Sequence, residues 1–183
     1  MSSKVEATIE NLYKVRDNGK AEIVNGELVY MSPTGFLPNY AAGEIFASLR
    51  DYARKTKRGY ALTDNIGFIV NLPNRQSISP DASFYTGRPT GGKFPEGAPI
   101  FAVEVRSEND YGAKAEQQII EKLADYFAAG TQVVWDVDVL RGELISVYRF
   151  DMPHQATVFR RGERANAEPA LPGWTMAVDD LFL

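Results

Sequence analysis

The sequence contains no cysteine and a single histidine among its 183 residues. Without cysteine it has no disulfide, no thiolate zinc site and no cysteine nucleophile, and this composition favours a reducing, intracellular setting. No apolar run approaches the roughly 18 residues of a membrane-spanning helix, and residues 1–6 lead into no apolar segment of the kind found in signal peptides. These absences together predict a cytoplasmic protein that does not enter the membrane.

Several catalytic motifs are also missing, and the chain has no excess of positive charge. It contains no G-x-S-x-G nucleophile elbow, no P-loop and no dinucleotide-binding G-x-G-x-x-G. Its net charge of −4 does not indicate nucleic-acid binding over the whole chain. Two local clusters are basic, one at the end of a predicted helix (Arg50, Arg54, Lys55, Lys57, Arg58) and one in a late loop (Arg160, Arg161, Arg164). Charge patterning favours a solvated helix end and an exposed turn, with contact to nucleic acid as the alternative.

The length fits one domain over residues 1–183, and a hydrophobic fraction of 44% is enough to form a core. Helical spacing of apolar residues predicts helices at 4–17, 39–57 and 113–129. Asn25-Gly26 predicts a hairpin of strands 21–24 and 27–31. Further strands are expected at 60–63, 66–70 (joined to the preceding strand by Asp64-Asn65), 78–85, 100–106, 133–137, 144–150 and 155–160.

The order of these elements predicts an α+β fold with a mixed central sheet flanked by helices. The helix at 113–129 is long enough to be a crossover, which would make strands 100–106 and 133–137 parallel. Residues 86–99 form a loop rich in glycine and proline that is long for a compact domain. Such a loop indicates either a functional or mobile segment or a tolerated surface insertion.

Two acids interrupt strand-like runs and are the sharpest chemical signal in the chain. Asp81 follows Pro80 in one run, and Glu104 interrupts the apolar run 101–107. Burying an ionised carboxylate is costly unless a cation or donor compensates it, and Mg²⁺ or Mn²⁺ between neighbouring strands would do so. The alternatives are an Asx turn for Asp81 and a salt bridge from Glu104 to Arg106 or Lys122. Clustered ionisable groups favour a shared site.

Two further charged residues lie on predicted helices. Lys122 falls at the edge of the apolar stripe of the helix at 113–129, so it either extends to water or points at buried acids. Glu44 precedes Ile45 in the middle of the helix at 39–57 and borders its inner face. Alone it is best explained as a solvated acid; next to the other acids it would be an outer ligand of the metal.

The sequence resembles the Uma2 family of bacterial proteins in an ordered series of short motifs. The series comprises Pro80-Asp81, Glu104-Val105-Arg106-Ser107, Lys122 to Tyr126, Gly130 and Val134 to Asp138. The resemblance covers about residues 20–183. It implies the restriction-endonuclease-like fold of the PD-(D/E)XK nuclease superfamily, a mixed sheet flanked by helices, here preceded by an N-terminal helix and a β-hairpin.

The same resemblance implies a metal-dependent endonuclease acting on DNA, with Asp81 and Glu104 as ligands of Mg²⁺ or Mn²⁺. The superfamily's lysine usually follows the second acid by two positions, where this chain has Arg106. In Uma2-like sequences the lysine lies instead on the following helix, where this chain has Lys122. Arg106 is a second candidate to stabilise charge. Glu44 matches the first-helix acid that contacts metal or water. A homodimer is expected by analogy. The alternative is a catalytically silent nuclease-like module that binds nucleic acid or a protein partner.

Overall fold

A computed structural model describes residues 6–15 and 19–183 of the protein. The helices are α1 (Ile9–Tyr13), α2 (Phe36–Thr56) and α3 (Ala113–Ala128), followed near the end by a 3₁₀ turn (Val178–Leu181). The strands are β1 (Ala21–Val24), β2 (Glu27–Tyr30), β3 (Tyr60–Thr63), β4 (Phe68–Ile69), β5 (Ser77–Ile78), β6 (Ala82–Tyr85), β7 (Phe101–Val105), β8 (Val133–Asp138), β9 (Leu144–Arg149), β10 (Met152–Arg160), β11 (Arg164–Asn166) and β12 (Thr175–Ala177).

The centre of the fold is a six-stranded mixed sheet with the order β10-β9-β8-β7-β6-β3. Strands β7 and β8 are parallel, and α3 connects them as a crossover; the other neighbours in this sheet are antiparallel. The predicted α+β fold with a mixed sheet flanked by helices is therefore confirmed. No helix in the described part of the chain is long and apolar enough to cross a membrane.

The two long helices pack on opposite faces of this sheet. On one face α2 contributes Ala41, Ile45 and Leu49 to a core that also contains Val103 and Trp135. On the other face α3 contributes Leu123 and Tyr126 to a smaller core with Ala102 and Val134. Because side chains alternate along a strand, the odd positions of β7 point to α2 and the even positions, including position 104, point to α3.

The hairpin β1–β2 docks beside this sheet. Its turn is Asn25-Gly26, with φ of 49° and 72°, as the type I′ turn predicted from the sequence requires. The Ile23 amide donates to Ser77 Oγ at 2.8 Å, and the Ile23 carbonyl accepts from the Gln76 amide at 3.0 Å. These bonds tie β1 to β5 and hold the start of the hairpin close to the strands that carry the two acids.

Several elements differ from the sequence predictions; β10, for example, begins at Met152 instead of residue 155. The strand predicted at 78–85 is divided into β5 and β6, because Pro80 between them has no amide to donate to a sheet. The strands on either side of Asp64-Asn65 exist but do not pair with each other: β3 pairs with β6, whereas β4 pairs with β5. Helix α2 begins at Phe36, before the predicted start at residue 39, because Pro38 is tolerated in a first helical turn.

Helix α1 is shorter than the helix predicted at 4–17, because Thr8 caps its start and the described residues 6–8, 14 and 15 are not helical. Residues 4, 5, 16 and 17 of the prediction lie outside the described residues. The end of the chain packs back on the core. Trp174, Met176, Val178 and Leu181 are all buried there.

Candidate functional site

Asp81 lies directly before β6, opposite Glu104 of β7. The antiparallel register pairs Ala82 with Val103, and the Asp81 amide donates to the Val103 carbonyl at 2.9 Å. The Asp81 side chain turns back onto β7, where its Oδ2 accepts from the Val105 amide at 2.8 Å. The strand break at proline and this register together place the two carboxylates next to each other.

Helix α3 supplies two donors to the Glu104 carboxylate. The Lys122 Nζ lies 2.9 Å from Glu104 Oε2, and the Tyr126 hydroxyl donates to Oε1. Residues four apart share one face of a helix, so both donors reach the same acid. Burial raises the pKa of Glu104 to about 7, opposed by the attraction of Lys122 and reinforced by the negative charge of Asp81. The site thus holds a carboxyl group that titrates near neutral pH.

Lys20, just before β1, holds the second carboxylate. Its Nζ lies 2.7 Å from Asp81 Oδ1 and 2.7 Å from Asp64 Oδ1. Burial acts to lower the pKa of Lys20, but Asp81 and Glu104 outweigh it and the pKa is raised overall. Lys20 is therefore charged, and its ammonium bridges Asp81, directly before β6, to Asp64, directly after β3.

A buried ion network supports the site from behind. Glu22 of β1 accepts from the Ser79 amide at 2.8 Å, and it lies 3.1 Å from the ammonium of Lys122. Arg75 donates to Glu22 and, through Nε, to Asp125 at 2.6 Å. Removing one member of a buried ion pair leaves an uncompensated charge, so such a network holds its members in place strongly. Glu22 in particular fixes Lys122 beside Glu104.

Arg106 and Glu44 are not brought to the two acids in this way. Arg106 donates to both oxygens of Asp136, at 2.8 and 2.7 Å, and also to Glu116. It thus ties β7 to β8 and α3 instead of contacting Glu104. Glu44 lies on α2, whose buried residues pack on the sheet face opposite to Glu104. The functional roles suggested for Arg106 and Glu44 stay predictions.

Sequence reasoning missed Lys20 and Glu22, which both belong to the cluster. A signal for Glu22 was present in the sequence: like Glu104, it is an acid inside an otherwise apolar strand, Ala21-Glu22-Ile23-Val24. Lys20 has no comparable local signal. Its position follows from the docking of the hairpin, which is a tertiary contact.

The donor set of Asp81 and Glu104 suits a hard divalent cation that keeps most of its waters. The two side chains are 23% and 25% exposed, so the carboxylates reach solvent at one side. The described residues contain no group of three or more side chains arranged as a complete metal cage. Mg²⁺ is typically held by one or two carboxylates together with water and substrate oxygens, which agrees with this open pair.

The charge of the cluster also accommodates a divalent ion. Among the described residues, the ion pairs of the cluster join five acids to three bases: Glu22, Asp64, Asp81, Glu104 and Asp125, with Lys20, Arg75 and Lys122. Acids therefore exceed bases by two formal charges. Lys20, Lys122 and Arg75 offset only part of the negative charge, and with Glu104 ionised the remainder matches one Mg²⁺.

Comparison of the sequence with protein-family profiles shows which family the chain belongs to. The profile of the Uma2 family, which carries the description "Putative restriction endonuclease", matches residues 7–179. The chain belongs to the Uma2 family. Asp81, Glu104 and Lys122 all lie inside the matched region, as does the Uma2 hairpin that carries Lys20 and Glu22. No curated protein matches the sequence at a significant level.

A solved structure has the same fold as this Uma2 protein. It is a protein from Anabaena variabilis described as "a putative nuclease belonging to DUF820". The two superpose with a TM-score of 0.75 over 96% of this chain and 97% of the other, at 17% sequence identity. At that identity the similarity establishes a shared nuclease-like fold, and the chemistry of the present chain has to be argued from its own residues.

Proposed function

We propose that the protein is a Mg²⁺-dependent endonuclease that hydrolyses phosphodiester bonds in DNA, as expected for the PD-(D/E)XK superfamily. The observation that carries the proposal is the convergence of Asp81 and Glu104 across β6 and β7 with the Lys122 ammonium 2.9 Å from Glu104. Two carboxylates and a lysine that reach solvent on one side are a donor set that can hold a metal and a phosphate together. Membership of the Uma2 family supports the same reaction class.

The roles follow from the position of each side chain. Asp81 and Glu104 would hold the ion, which when bound polarises the scissile phosphate and lowers the pKa of a water ligand. Lys122 keeps a positive charge, since Glu104 and Glu22 raise its pKa despite burial. Its ammonium would donate to a phosphate oxygen and stabilise the negative charge that develops there. Lys20 would leave Asp81 when the ion enters and contact the substrate instead.

Plasmid cleavage tests this proposal. The wild-type protein is incubated with supercoiled plasmid and Mg²⁺ or Mn²⁺, beside Asp81→Asn and Lys122→Met. Both variants are expected to lose about 100-fold or more in rate, the usual effect of removing one group that stabilises transition-state charge. Asp51→Asn and Lys55→Met change exposed α2 residues and are the matched controls. The proposal fails if the wild type leaves DNA intact or if the site variants cut as fast as the controls.

One observation favours a second candidate, a catalytically silent nuclease-like module that binds nucleic acid or a protein partner. All four carboxylate oxygens of Asp81 and Glu104 already accept a hydrogen bond, from Lys20, Val105, Lys122 and Tyr126. A site so well satisfied could be a structural ion network. Metal titration separates the candidates, because the enzyme must bind Mg²⁺ or Mn²⁺ through both acids and the silent module need not.

Two further parts of the proposal concern assembly and location. A homodimer would present two sites to the two strands of a duplex, as restriction-like enzymes often do. A cytoplasmic location is where a bacterial enzyme would meet DNA. The oligomeric state follows directly from sedimentation of the wild-type protein with and without duplex DNA.

A further inference from the structure

A basic groove lies at the outer edge of the sheet, away from the acidic cluster. It has a volume of about 850 Å³ and is formed by the end of α2, the strand β3 and the loop that follows β6. Six cationic side chains line it: Arg50, Arg54, Lys57, Arg58, Arg88 and Lys93. No Asp or Glu is part of the lining that the structure describes, although the chain as a whole carries a net charge of −4. The groove is thus a positive surface on an acidic protein.

The cations of the groove are free to bind a ligand. All six are exposed. Within the described residues only Arg50 has a carboxylate at ion-pair distance, that of its neighbour Asp51 at 3.9 Å, and Asp51 is itself exposed. Surface ion pairs of that kind contribute little. Six cations without firm partners repel one another, and a bound polyanion would relieve this repulsion.

The helix end alone does not explain this arrangement. Cations in a last helical turn offset the partial negative charge of the helix C-terminus, which accounts for Arg54 and its neighbours. Arg88 and Lys93, however, come from the loop at 86–99, more than 30 residues further along the chain. Two separate segments therefore contribute charge of one sign to the same groove.

The loop at 86–99 is held in place at the groove. The Tyr85 hydroxyl donates to the Glu96 carbonyl at 2.9 Å, and the Thr90 hydroxyl donates to the Lys93 carbonyl at 2.6 Å. Gly59 allows the start of β3 to lie close to β6, since a Cβ at this position would come within 2.6 Å of the Tyr85 carbonyl oxygen. These contacts anchor the loop that carries Arg88 and Lys93 beside the end of α2.

The groove and the acidic cluster lie at opposite ends of β3 and β6. Asp81 precedes β6 in the cluster, whereas Tyr85 at the end of β6 lines the groove. Asp81 and Tyr85 are four positions apart along the chain, or about 13 Å at roughly 3.3 Å per residue. A duplex rises about 3.4 Å per base pair, so about four base pairs span this distance along the strand. Tyr60, 47% exposed in the groove, adds a ring that can pack on the sugars of the backbone.

We infer that this groove binds the phosphate backbone of duplex DNA beside the bond that the acidic cluster cleaves. This inference rests on the proposed function for the identity of the polyanion. It assigns the affinity for DNA to six cations outside the cluster. It also reconciles an acidic chain with a nucleic-acid substrate, because the positive charge is concentrated on one surface.

Binding is measured without cleavage, by fluorescence anisotropy of a labelled 20-base-pair duplex in EDTA over a range of salt concentrations. The double variant Arg54→Gln/Arg88→Gln should weaken binding at least tenfold at low salt. It should also make the slope of log K against log salt shallower by about two, one for each phosphate that is no longer neutralised. The control Lys55→Gln/Arg160→Gln removes the same charge from exposed positions outside the groove and should change binding less than threefold. Thermal unfolding of both variants checks their folding.

The inference is overturned if the two double variants bind alike, if the wild type does not bind the duplex, or if poly-L-glutamate of equal charge binds as tightly as DNA. The last result would make the groove a site for an acidic protein. These outcomes are separate from those of the plasmid assay. Groove-dependent binding without cleavage contradicts only the proposed nuclease activity, whereas cleavage that needs Asp81 with equal binding by both double variants contradicts only the groove.

Discussion

The ammonium of Lys20 lies 2.7 Å from Oδ1 of Asp81, so a lysine occupies the carboxylate that the proposed metal would use. Without metal, Lys20 stabilises the negative charge at this edge. If the proposed metal binds there, the positive charge of Lys20 would oppose it. Lys20 would thus compete with the proposed Mg²⁺ for the same oxygen.

Replacing Lys20 with methionine should therefore strengthen metal binding. The change removes a like charge and frees Asp81 Oδ1, and we expect the Kd for Mn²⁺ to fall about tenfold, which corresponds to about 1.4 kcal/mol. Isothermal titration calorimetry of Lys20→Met beside Lys55→Met measures the effect. An unchanged or weaker affinity in the Lys20 variant would show that the ion does not bind at Asp81. The rise in melting temperature on adding Mn²⁺ gives a second reading should the metal-free variant be unstable.

Breaking the buried network at Arg75 should strongly destabilise the fold. Arg75 is 7% exposed and lies between Glu22 and Asp125, so Arg75→Met leaves the buried Asp125 without its cation and leaves Glu22 with Lys122 alone. We expect a loss of about 3–5 kcal/mol in the free energy of unfolding, measured by urea denaturation. Arg88→Met, in the exposed loop, should change it by less than about 0.5 kcal/mol. A loss below about 1 kcal/mol at Arg75 would mean that the network does not fix Lys122.

The carboxylate of Asp138 should make stability depend on pH in the acid range. Burial acts to raise the pKa of Asp138, but the Tyr111 hydroxyl and the backbone amides of the β8–β9 turn donate to it and hold the pKa below its usual value. The ionised form is therefore bound more strongly in the folded state. Its contribution is complete above the unfolded pKa, near 3.9, and is lost as the pH falls through the lower folded pKa.

Asp138→Asn should accordingly cost about 1 kcal/mol at pH 7 and progressively less below about pH 4. Urea denaturation at a series of pH values, with Asp51→Asn as the exposed control, measures the difference. A difference between wild type and variant that is equal at pH 7 and pH 2.5 would show that the charge of Asp138 contributes nothing.

The sequence predicted the sheet and the pair of acids, because both follow from local patterns. The period of two in β7 placed Glu104 on the face opposite to Val103, and the crossover helix made β7 and β8 parallel. The stripe of α3 placed Lys122 at its edge and left open whether the side chain extends to water or points at the acids. These features depend on residues near in sequence or on neighbouring strands.

Lys20, Glu22 and the partners of Arg106 depend on contacts that no local pattern contains. Lys20 reaches Asp81 across 61 positions because the hairpin docks on β5. Arg106 shares a strand face with Glu104, but Asp136 on the parallel neighbour offers it both carboxylate oxygens. The alternation of side chains gives the face of a residue, and the competition among tertiary partners then decides its contact.

The most direct test of the central claim is a crystal of the wild-type protein soaked in Mn²⁺, with anomalous differences recorded at the manganese edge. We predict one peak between the carboxylates of Asp81 and Glu104, with the Lys20 ammonium moved away from Asp81, and no peak in Asp81→Asn crystals soaked in the same way. A wild-type map without a peak between these two carboxylates, at a Mn²⁺ concentration at which the protein binds Mn²⁺ in solution, would contradict this claim.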